Sequence, residues 1–317
     1  MTDLDLDVRW YAGTRSRRRN TAPPIQVHRA APHTVVLRQS IASDFEAPFL
    51  YLLFGEDRAV LLDTGATADA TMFPLRTTVD ELVEDWLRGH PRDGYELIVA
   101  HSHAHGDHIA GDGQFTDRPH TRVVGHSADD VAAFFGVSHW PRGTARLDLG
   151  GRVLEVIPAP GHHPSAVAIY DEATGVLLTG DTVYPGRLYV QDFPAFQASL
   201  RSLCEFSAAN PVRAVLGAHI EMSARPFRDF PRGSTWHPDE AALPLTVGDL
   251  YAVRDAAALI ADRPGAHRSA HFIIWNGPCR LESAAQSVGL LLFRALGLLP
   301  TLGRQRFPGP WGDARLR

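Results

Sequence analysis

The chain alternates short apolar runs with polar turn residues, a pattern typical of β-strands separated by loops. The predicted runs are three to six residues long, and Gly, Pro, Asp and Asn recur between them. Strands are predicted over residues 34–37, 49–54, 59–63, 96–100, 121–124, 152–157, 167–170, 176–178, 214–218 and 271–275.

Helices are predicted where apolar residues recur every three or four positions. The apolar residues from Val79 to Trp86 follow an i, i+3, i+4, i+7 spacing and predict a helix over 79–87. Further helices are predicted from residue 107 onward, over 129–135, around Cys204, and over 247–261 with Thr246 as its N-cap. Strand pairs that alternate with helices indicate a mixed α/β sandwich.

The polarity of the chain changes twice and suggests three parts. Residues 1–30 are polar and are interpreted as an N-terminal arm, 31–225 as the core, and 226–317 as a C-terminal loop and helices that pack on the core. The segment 287–299 is strongly apolar but contains Gly289, Arg294 and Gly297. It is shorter than the ~20 residues that span a bilayer, so a buried helix is predicted, with a homodimer surface as the alternative.

The net charge and the cysteine content limit the kinds of partner and cellular compartment that we expect. The net charge is −5, and all 31 basic residues are arginines because the sequence contains no lysine. A chain without a basic excess is not expected to bind nucleic acid. Cys204 and Cys279 do not form a disulfide framework. The arginines at 15–19 resemble a twin-arginine signal, but no apolar stretch follows them, so we expect a cytoplasmic protein that does not associate with membranes.

The segment 103–108 concentrates four side chains that bind metals. In an extended segment, His103 and His105 point to the same side and can converge on one ion. Asp107 and His108 then project elsewhere and can hold a second ion. Imidazole and carboxylate together suit zinc and tolerate iron or manganese. The alternative is a His-rich surface loop.

Three further candidate ligands each follow an apolar run. His162 lies in the turn after 153–157, Asp181 follows 175–180, and His219 follows 214–218. The end of a strand is a rigid position from which a side chain is aimed at a shared site. Taken singly, each has a structural alternative, since a strand-end His is often a hydrogen-bonded residue and an Asp after Gly is often a turn or cap residue.

These motifs together resemble the metallo-β-lactamase-fold hydrolase superfamily, in its glyoxalase II-like and lactonase-like branch. The matching segments are LLDTG at 61–65, SHAHGDH at 102–108, PGH at 160–162, TGDT at 179–182 and GAH at 217–219. The resemblance implies a four-layer αββα sandwich with two metal ions in the cleft between the sheets, and a C-terminal helical extension. It implies that His103, His105 and His162 hold one ion, and that Asp107, His108 and His219 hold the other. Asp181 is implied to bridge the two ions, and Asp63 to orient the site from beneath.

A pair of divalent ions in this arrangement suits hydrolysis. Two cations that share one water lower its pKa from 15.7 to roughly 7, and the resulting bridging hydroxide attacks a carbonyl or phosphoryl centre. We therefore expect a hydrolase of a small ester, thioester or lactone, with Asp107 as a further proton acceptor. The alternatives are a phosphodiesterase on the same ions, a di-iron redox protein and a non-catalytic metal-binding protein.

Two features bear on the substrate. True β-lactamases generally lack the bridging carboxylate implied at Asp181. Tyr184 lies three residues later, where the resembling quorum-quenching lactonases place a Tyr that contacts the substrate; the alternative for Tyr184 is packing. His101 is not assigned as a ligand, because the spacing from His103 to Asp107 and His108 fits the pattern of the resembling family. His163, which follows His162, is expected to pack, with a contact to the substrate as the alternative.

Overall fold

The computed structural model describes residues 2–16, 19–261 and 263–277. Its strands, in chain order, are β1 (Ile25–Ala31), β2 (Thr34–Gln39), β3 (Phe49–Phe54), β4 (Arg58–Leu62), β5 (Glu96–Ala100), β6 (Thr121–Val123), β7 (Ala145–Asp148), β8 (Val153–Pro158), β9 (Val167–Asp171), β10 (Val176–Gly180), β11 (Arg187–Val190), β12 (Ala214–Gly217), β13 (Pro244–Leu245), β14 (Gly265–Arg268) and β15 (Ile273–Asn276). The helices are α1 (Leu75–Gly89), α2 (Gly106–Ile109), α3 (Ala128–Phe135), α4 (Phe193–Ala209) and α5 (Val247–Ile260).

Two six-stranded sheets form the body of the fold. The first has the order β1-β2-β3-β4-β5-β6, and the second has the order β13-β12-β10-β9-β8-β7. Pairing is antiparallel along β1 to β4 and parallel from β4 through β5 to β6. A smaller third sheet joins β11 to β15 and β14.

The alternation of side chains along the strands explains the four layers. In the first sheet, Leu53 and Val60 face a core that they share with Val156 of the second sheet. Their neighbours Leu52 and Leu61 face the opposite way, into a core shared with α1. The outer face of the second sheet packs in the same manner against α4 and α5. Both faces of each sheet are thus buried, and the predicted αββα sandwich is confirmed.

The predicted N-cap of α5, Thr246, is confirmed. The Thr246 side chain accepts from the Asp249 backbone N–H, and the Asp249 carboxylate accepts from the Thr246 backbone N–H. This capping box satisfies donors at the helix start that otherwise lack partners. The predicted C-terminal helix at 287–299 and Cys279 lie outside the described residues.

The first 30 residues differ from the expected polar arm. Residues 25–30 belong to β1, which pairs with β2 at the edge of the first sheet. The arm ahead of it also contributes apolar side chains, since Trp10 is buried and Leu4 and Leu6 pack against the core between the sheets. The sequence signal is weak here because an edge strand keeps polar residues and an exposed Val27 on its open side.

The helices in the described part of the chain include none with the length and apolar character that a membrane span requires.

A buried ion pair ties the two sheets together. The Arg152 guanidinium donates to both carboxylate oxygens of Asp171, at 3.0 and 2.7 Å. It also donates to the backbone oxygens of His33 and Phe54 and to the Thr34 hydroxyl, so its five N–H groups are all used. Asp171 ends β9 in the second sheet, whereas the other acceptors lie at one end of the first sheet. Burial alone would raise the pKa of Asp171, but the bonds and charge of Arg152 outweigh it and lower that pKa.

We expect Arg152→Met to lower the free energy of unfolding by about 3–5 kcal/mol, because it leaves Asp171 buried without its counter-charge. Denaturant unfolding measures this loss. In the native chain the contribution exists above the pKa of an unfolded Asp, about 3.9, and is lost as the pH falls through the lower folded-state value. The control is Arg146→Met, whose ion pair with Glu172 is largely exposed and should cost less than about 1 kcal/mol. Equal losses in both variants would contradict a sheet-tying role.

Candidate metal centre

All seven predicted metal ligands meet at one edge of the sandwich. The segment that follows β5 carries His103 and His105, and the short helix α2 carries Asp107 and His108. His162, Asp181 and His219 follow β8, β10 and β12, which run in the same direction within the second sheet. Because their carboxyl ends share an edge, residues that are far apart in the chain become neighbours.

Three imidazole nitrogens form the first group. His103 Nε2 lies 3.0 Å from His105 Nδ1, and His162 Nε2 lies 3.1 Å from the first of these atoms and 2.9 Å from the second. Nitrogens at ~2.0–2.1 Å from one tetrahedral zinc are roughly 3.3 Å apart, close to this spacing. The triangle of nitrogens is therefore of the size that one cation occupies.

Asp107, His108 and His219 form the second group. Asp107 Oδ2 lies 3.6 Å from His108 Nε2 and 3.5 Å from His219 Nε2, and the two imidazole nitrogens are 3.3 Å apart. His108 and His219 are buried, whereas Asp107 keeps 24% of its side chain exposed. This group is also of the size that one cation occupies.

Asp181 lies between the two groups. Its Oδ2 is 3.6 Å from His162 Nε2 in the first group, and its Oδ1 is 3.4 Å from His219 Nε2 and 3.6 Å from His108 Nε2 in the second. The Oδ1 atom is buried and has no hydrogen-bond partner among the described residues. A buried carboxylate oxygen without a partner is costly, and a cation beside it would remove that cost.

Hydrogen bonds on the far side of the rings leave the inward nitrogens free to bind a cation. Nδ1 of His162 donates to the Tyr189 backbone oxygen at 2.6 Å, and Nδ1 of His219 donates to the Glu46 backbone oxygen at 2.9 Å. Nδ1 of His108 donates to Asp63 Oδ2 at 2.9 Å. A neutral imidazole with its proton on Nδ1 carries its lone pair on Nε2, which faces the centre in all three residues.

The Asp63 carboxylate is held against the ring of His108. Besides His108, its carboxylate accepts from the Ser102 backbone N–H at 2.7 Å and from the Ser102 hydroxyl at 2.8 Å. The residue is buried and has a φ of 70°, a left-handed conformation that is uncommon outside Gly. The surrounding bonds hold the carboxylate in one orientation against the ring of His108.

The protonation states differ between the two groups. Burial lowers the pKa of His103 well below its usual value and that of His162 to about 4, so both rings stay neutral at pH 7. Burial also disfavours charge on His219, but Asp181 and Asp107 outweigh it and raise its pKa to about 10. Positive charge is therefore favoured next to these carboxylates, and a bound cation would supply it in place of the proton.

Tyr184 does not direct its hydroxyl into the centre. The hydroxyl donates to the Arg187 backbone oxygen and lies 3.2 Å from Glu221 Oε2, and the side chain is buried. Its ring stands beside the ring of His219, with the centroids 5.6 Å apart. This arrangement favours the packing alternative over the predicted substrate contact, because the hydroxyl is already engaged within the protein.

The neighbouring histidines behave differently from the seven ligands. His101 Nε2 lies 2.8 Å from Asp112 Oδ1, and His126 Nε2 lies 2.7 Å from Asp112 Oδ2, which are ordinary hydrogen-bond lengths. The outer nitrogen of His101 is buried without a partner among the described residues, unlike those of the centre. A cation on Nε2 would place an unpaired proton there, so this trio fits a hydrogen-bonded group. His163 bonds to the Ser165 hydroxyl.

Sequence reasoning missed the backbone carbonyls that orient the ligands. The carbonyls of Glu46 and Tyr189 fix His219 and His162, yet a backbone oxygen carries no residue-specific signal.

Tyr189 lies two residues before Gln191, which contacts the outer nitrogen of His105 at 3.0 Å. Burial raises the pKa of the Tyr189 phenol to about 12, so it remains a hydrogen-bond donor at neutral pH.

The chain is similar both to a family profile and to curated proteins. The profile of the metallo-beta-lactamase superfamily matches residues 44–236, more than half of the chain. A hydroxyacylglutathione hydrolase of Anaeromyxobacter dehalogenans is 37% identical over 86 residues, which cover 27% of this chain and 32% of that protein. One from Synechococcus sp. (strain JA-2-3B'a(2-13)) is 30% identical over 141 residues, which cover 44% of this chain and 50% of that protein.

The chain thus spans between a third and a half of the length of these two relatives. Among solved structures, a metallo-beta-lactamase from Erythrobacter litoralis aligns with 76% of this chain and 99% of its own, with a TM-score of 0.49 and 15% identity.

We expect Asp63→Asn to weaken the binding of a divalent ion by about 10- to 100-fold, because the amide no longer fixes and polarises the ring of His108. Titration of zinc against a chromophoric chelator measures the change. Asp112→Asn is the matched control, since its carboxylate bonds to imidazoles outside the centre, and it should leave the affinity unaltered. Normal zinc affinity in Asp63→Asn would show that His108 needs no support from beneath.

Proposed function

This chain belongs to the metallo-beta-lactamase superfamily, and from that premise we propose that it is a dinuclear metal-dependent hydrolase of a small ester, thioester or lactone. The observation that carries the proposal is the placement of Asp181, with one carboxylate oxygen toward each group of ligands. A single ion would need only one of these groups. The spacing of the two groups around a shared carboxylate favours a pair of ions.

The donor set suits zinc, with iron or manganese as alternatives, because imidazole and carboxylate are shared by all three. In the proposed assignment His103, His105 and His162 would hold one ion, Asp107, His108 and His219 would hold the other, and Asp181, which lies between the two groups, would serve both. When bound, such ions supply Lewis acidity and make water a nucleophile at neutral pH.

The protein's own groups provide proton transfer and orientation. Asp107 faces the centre and retains partial exposure, so its carboxylate is placed to accept a proton from the attacking water. The water oxygen adds to the acyl carbon, the bond from that carbon to oxygen or sulfur breaks, and an acid and an alcohol or thiol leave. A serine or cysteine nucleophile is not required, and the described cysteine, Cys204, is buried on α4.

Acyl transfer to water is favoured over phosphodiester cleavage by the curated relatives. Those relatives are named hydroxyacylglutathione hydrolases, and the thiolate of a thioester leaves readily without a separate general acid. We therefore place a small acyl compound ahead of a phosphodiester as the substrate. Its leaving group is not specified by the family alone.

A panel of substrates tests this choice. We expect the zinc-loaded protein to hydrolyse p-nitrophenyl esters, acyl thioesters or lactones with a kcat/KM at least tenfold above that for bis-p-nitrophenyl phosphate. The measurement is initial rate by absorbance, with enzyme stripped of metal by a chelator as the control. Turnover of the phosphodiester alone would transfer the proposal to the phosphodiesterase alternative.

Asp181→Asn is expected to reduce the zinc content below two per chain and to lower kcat by about 100-fold or more, because the bridge that holds both ions loses its charge. Metal analysis of the purified variant and its kcat on the best ester or thioester are the two readouts. Asp148→Asn, an exposed surface carboxylate, serves as the control. Full occupancy with a normal kcat would exclude a bridging role.

A further inference from the structure

Two buried hydrogen-bond donors on the third sheet have no partner in the described part of the chain. They are the hydroxyl of Tyr189 and the indole nitrogen of Trp275. Trp275 is only 5% exposed, and a buried donor without a partner is costly. Native proteins leave few such groups unsatisfied, so each one calls for an explanation, and a bound ligand is one.

The two donors lie on neighbouring strands. β11 pairs with β15 in parallel, and in that register Tyr189 is the partner of Trp275. Paired residues of adjacent strands point to the same face of a sheet, and the two rings lie with their centroids 5.8 Å apart. Two unsatisfied donors therefore occur side by side.

Their position is tied to the metal centre through the backbone. The carbonyl of Tyr189 accepts the hydrogen bond that orients His162. The residue that positions a candidate ligand thus also presents an unpaired hydroxyl. Strand β11 therefore adjoins the candidate ligand His162.

Arg232 adds a positive charge at the same place. Its guanidinium lies 6.0 Å from the centroid of the Tyr189 ring, and its Nη2 lies 4.0 Å from Glu46 Oε1. Glu46 in turn supports His219 through its carbonyl. The 4.0 Å separation exceeds a hydrogen bond, so the Arg232 donors remain available while the charge is held between the residues that support His162 and His219.

We propose that Tyr189, Trp275 and Arg232 form a subsite for a carboxylate carried by the substrate. This inference rests on the proposed hydrolase function and specifies its substrate class. A carboxylate only accepts hydrogen bonds and has room for several donors, and a guanidinium binds it through charge-assisted bonds. A phenol, an indole N–H and an arginine therefore match it, whereas a purely aliphatic acyl group would leave all three unpaired.

The subsite includes a residue that the family does not supply. The family profile ends at residue 236, whereas Trp275 lies on β15 of the third sheet. Selectivity for a carboxylate would therefore be a property of this chain's own C-terminal region.

Three thioesters separate the possible positions of the carboxylate. S-pentanoyl-N-acetylcysteamine is neutral, S-glutaryl-N-acetylcysteamine carries a carboxylate in the acyl group, and the S-pentanoyl ester of 3-mercaptopropionate carries it in the leaving group. We expect wild-type kcat/KM to favour one charged substrate over the neutral one by about 10- to 100-fold, mainly through KM. The preferred substrate identifies which side of the scissile bond occupies the subsite.

Variants that remove one donor each test the residues. Tyr189→Phe, Trp275→Phe and Arg232→Gln are expected to bring the charged-to-neutral ratio of kcat/KM down toward one. Tyr95→Phe and Trp86→Phe are the matched controls, because the Tyr95 hydroxyl bonds to Gly55 and the unpaired Trp86 nitrogen lies on α1, away from the third sheet. Both controls should retain the wild-type ratio.

A wild-type ratio near one, or an unchanged ratio in all three subsite variants, would overturn the proposal. If no thioester is hydrolysed, the hydrolase function fails separately, and calorimetric titration of the zinc-loaded protein still decides the subsite. Glutarate should then bind about tenfold or more tightly than pentanoate, and Tyr189→Phe and Trp275→Phe should abolish the difference. Equal binding of the two acids would likewise overturn it.

Discussion

The charge on buried carboxylates is the constraint on which the rest of this structure depends. Asp181 is 7% exposed and has an oxygen without a hydrogen-bond partner in the described region. Burial of an uncompensated carboxylate is costly, and protonated histidines offset that cost only by losing their capacity as ligands. The proposed pair of divalent ions would resolve both problems, since it would neutralise Asp107 and Asp181 while the imidazoles stay neutral. The site is in this sense built around positive charge that the chain itself does not provide.

The scaffold must hold the ligands in place without that charge. Four hydrogen bonds fix the ring orientations or their supports, and they involve Asp63 directly after β4, Tyr189 on β11 and Glu46 in the loop before β3. The Arg152–Asp171 pair holds the two sheets in register at another point of the sandwich. Because each of these groups is buried, small movements of a strand would break several bonds at once. The geometry of the ligands is thus inherited from the packing of the sheets.

The third sheet connects the C-terminal part of the described chain to a strand that supports a candidate ligand. β11 belongs to the family-matched part of the chain and β15 does not, yet the two pair along four residues. The C-terminal part thereby gains direct access to a strand that supports His162. In the proposed subsite, donors on β15 would add selectivity without altering the candidate ligands themselves.

Local sequence patterns were enough to predict most strands and helices and to select the candidate ligands. Alternating apolar runs predicted most strands, and the spacing of 103–108 marked the centre before any contact was known, because periodicity and ligand chemistry are local properties. Edge strands such as β1 and β14 were not predicted, since they carry polar residues on their solvent-exposed face. Only the tertiary structure decided which carbonyls orient His162 and His219, that the Tyr184 hydroxyl is engaged by Arg187, and that Trp275 pairs with Tyr189. Those outcomes depend on contacts between distant segments, which packing creates and no local pattern encodes.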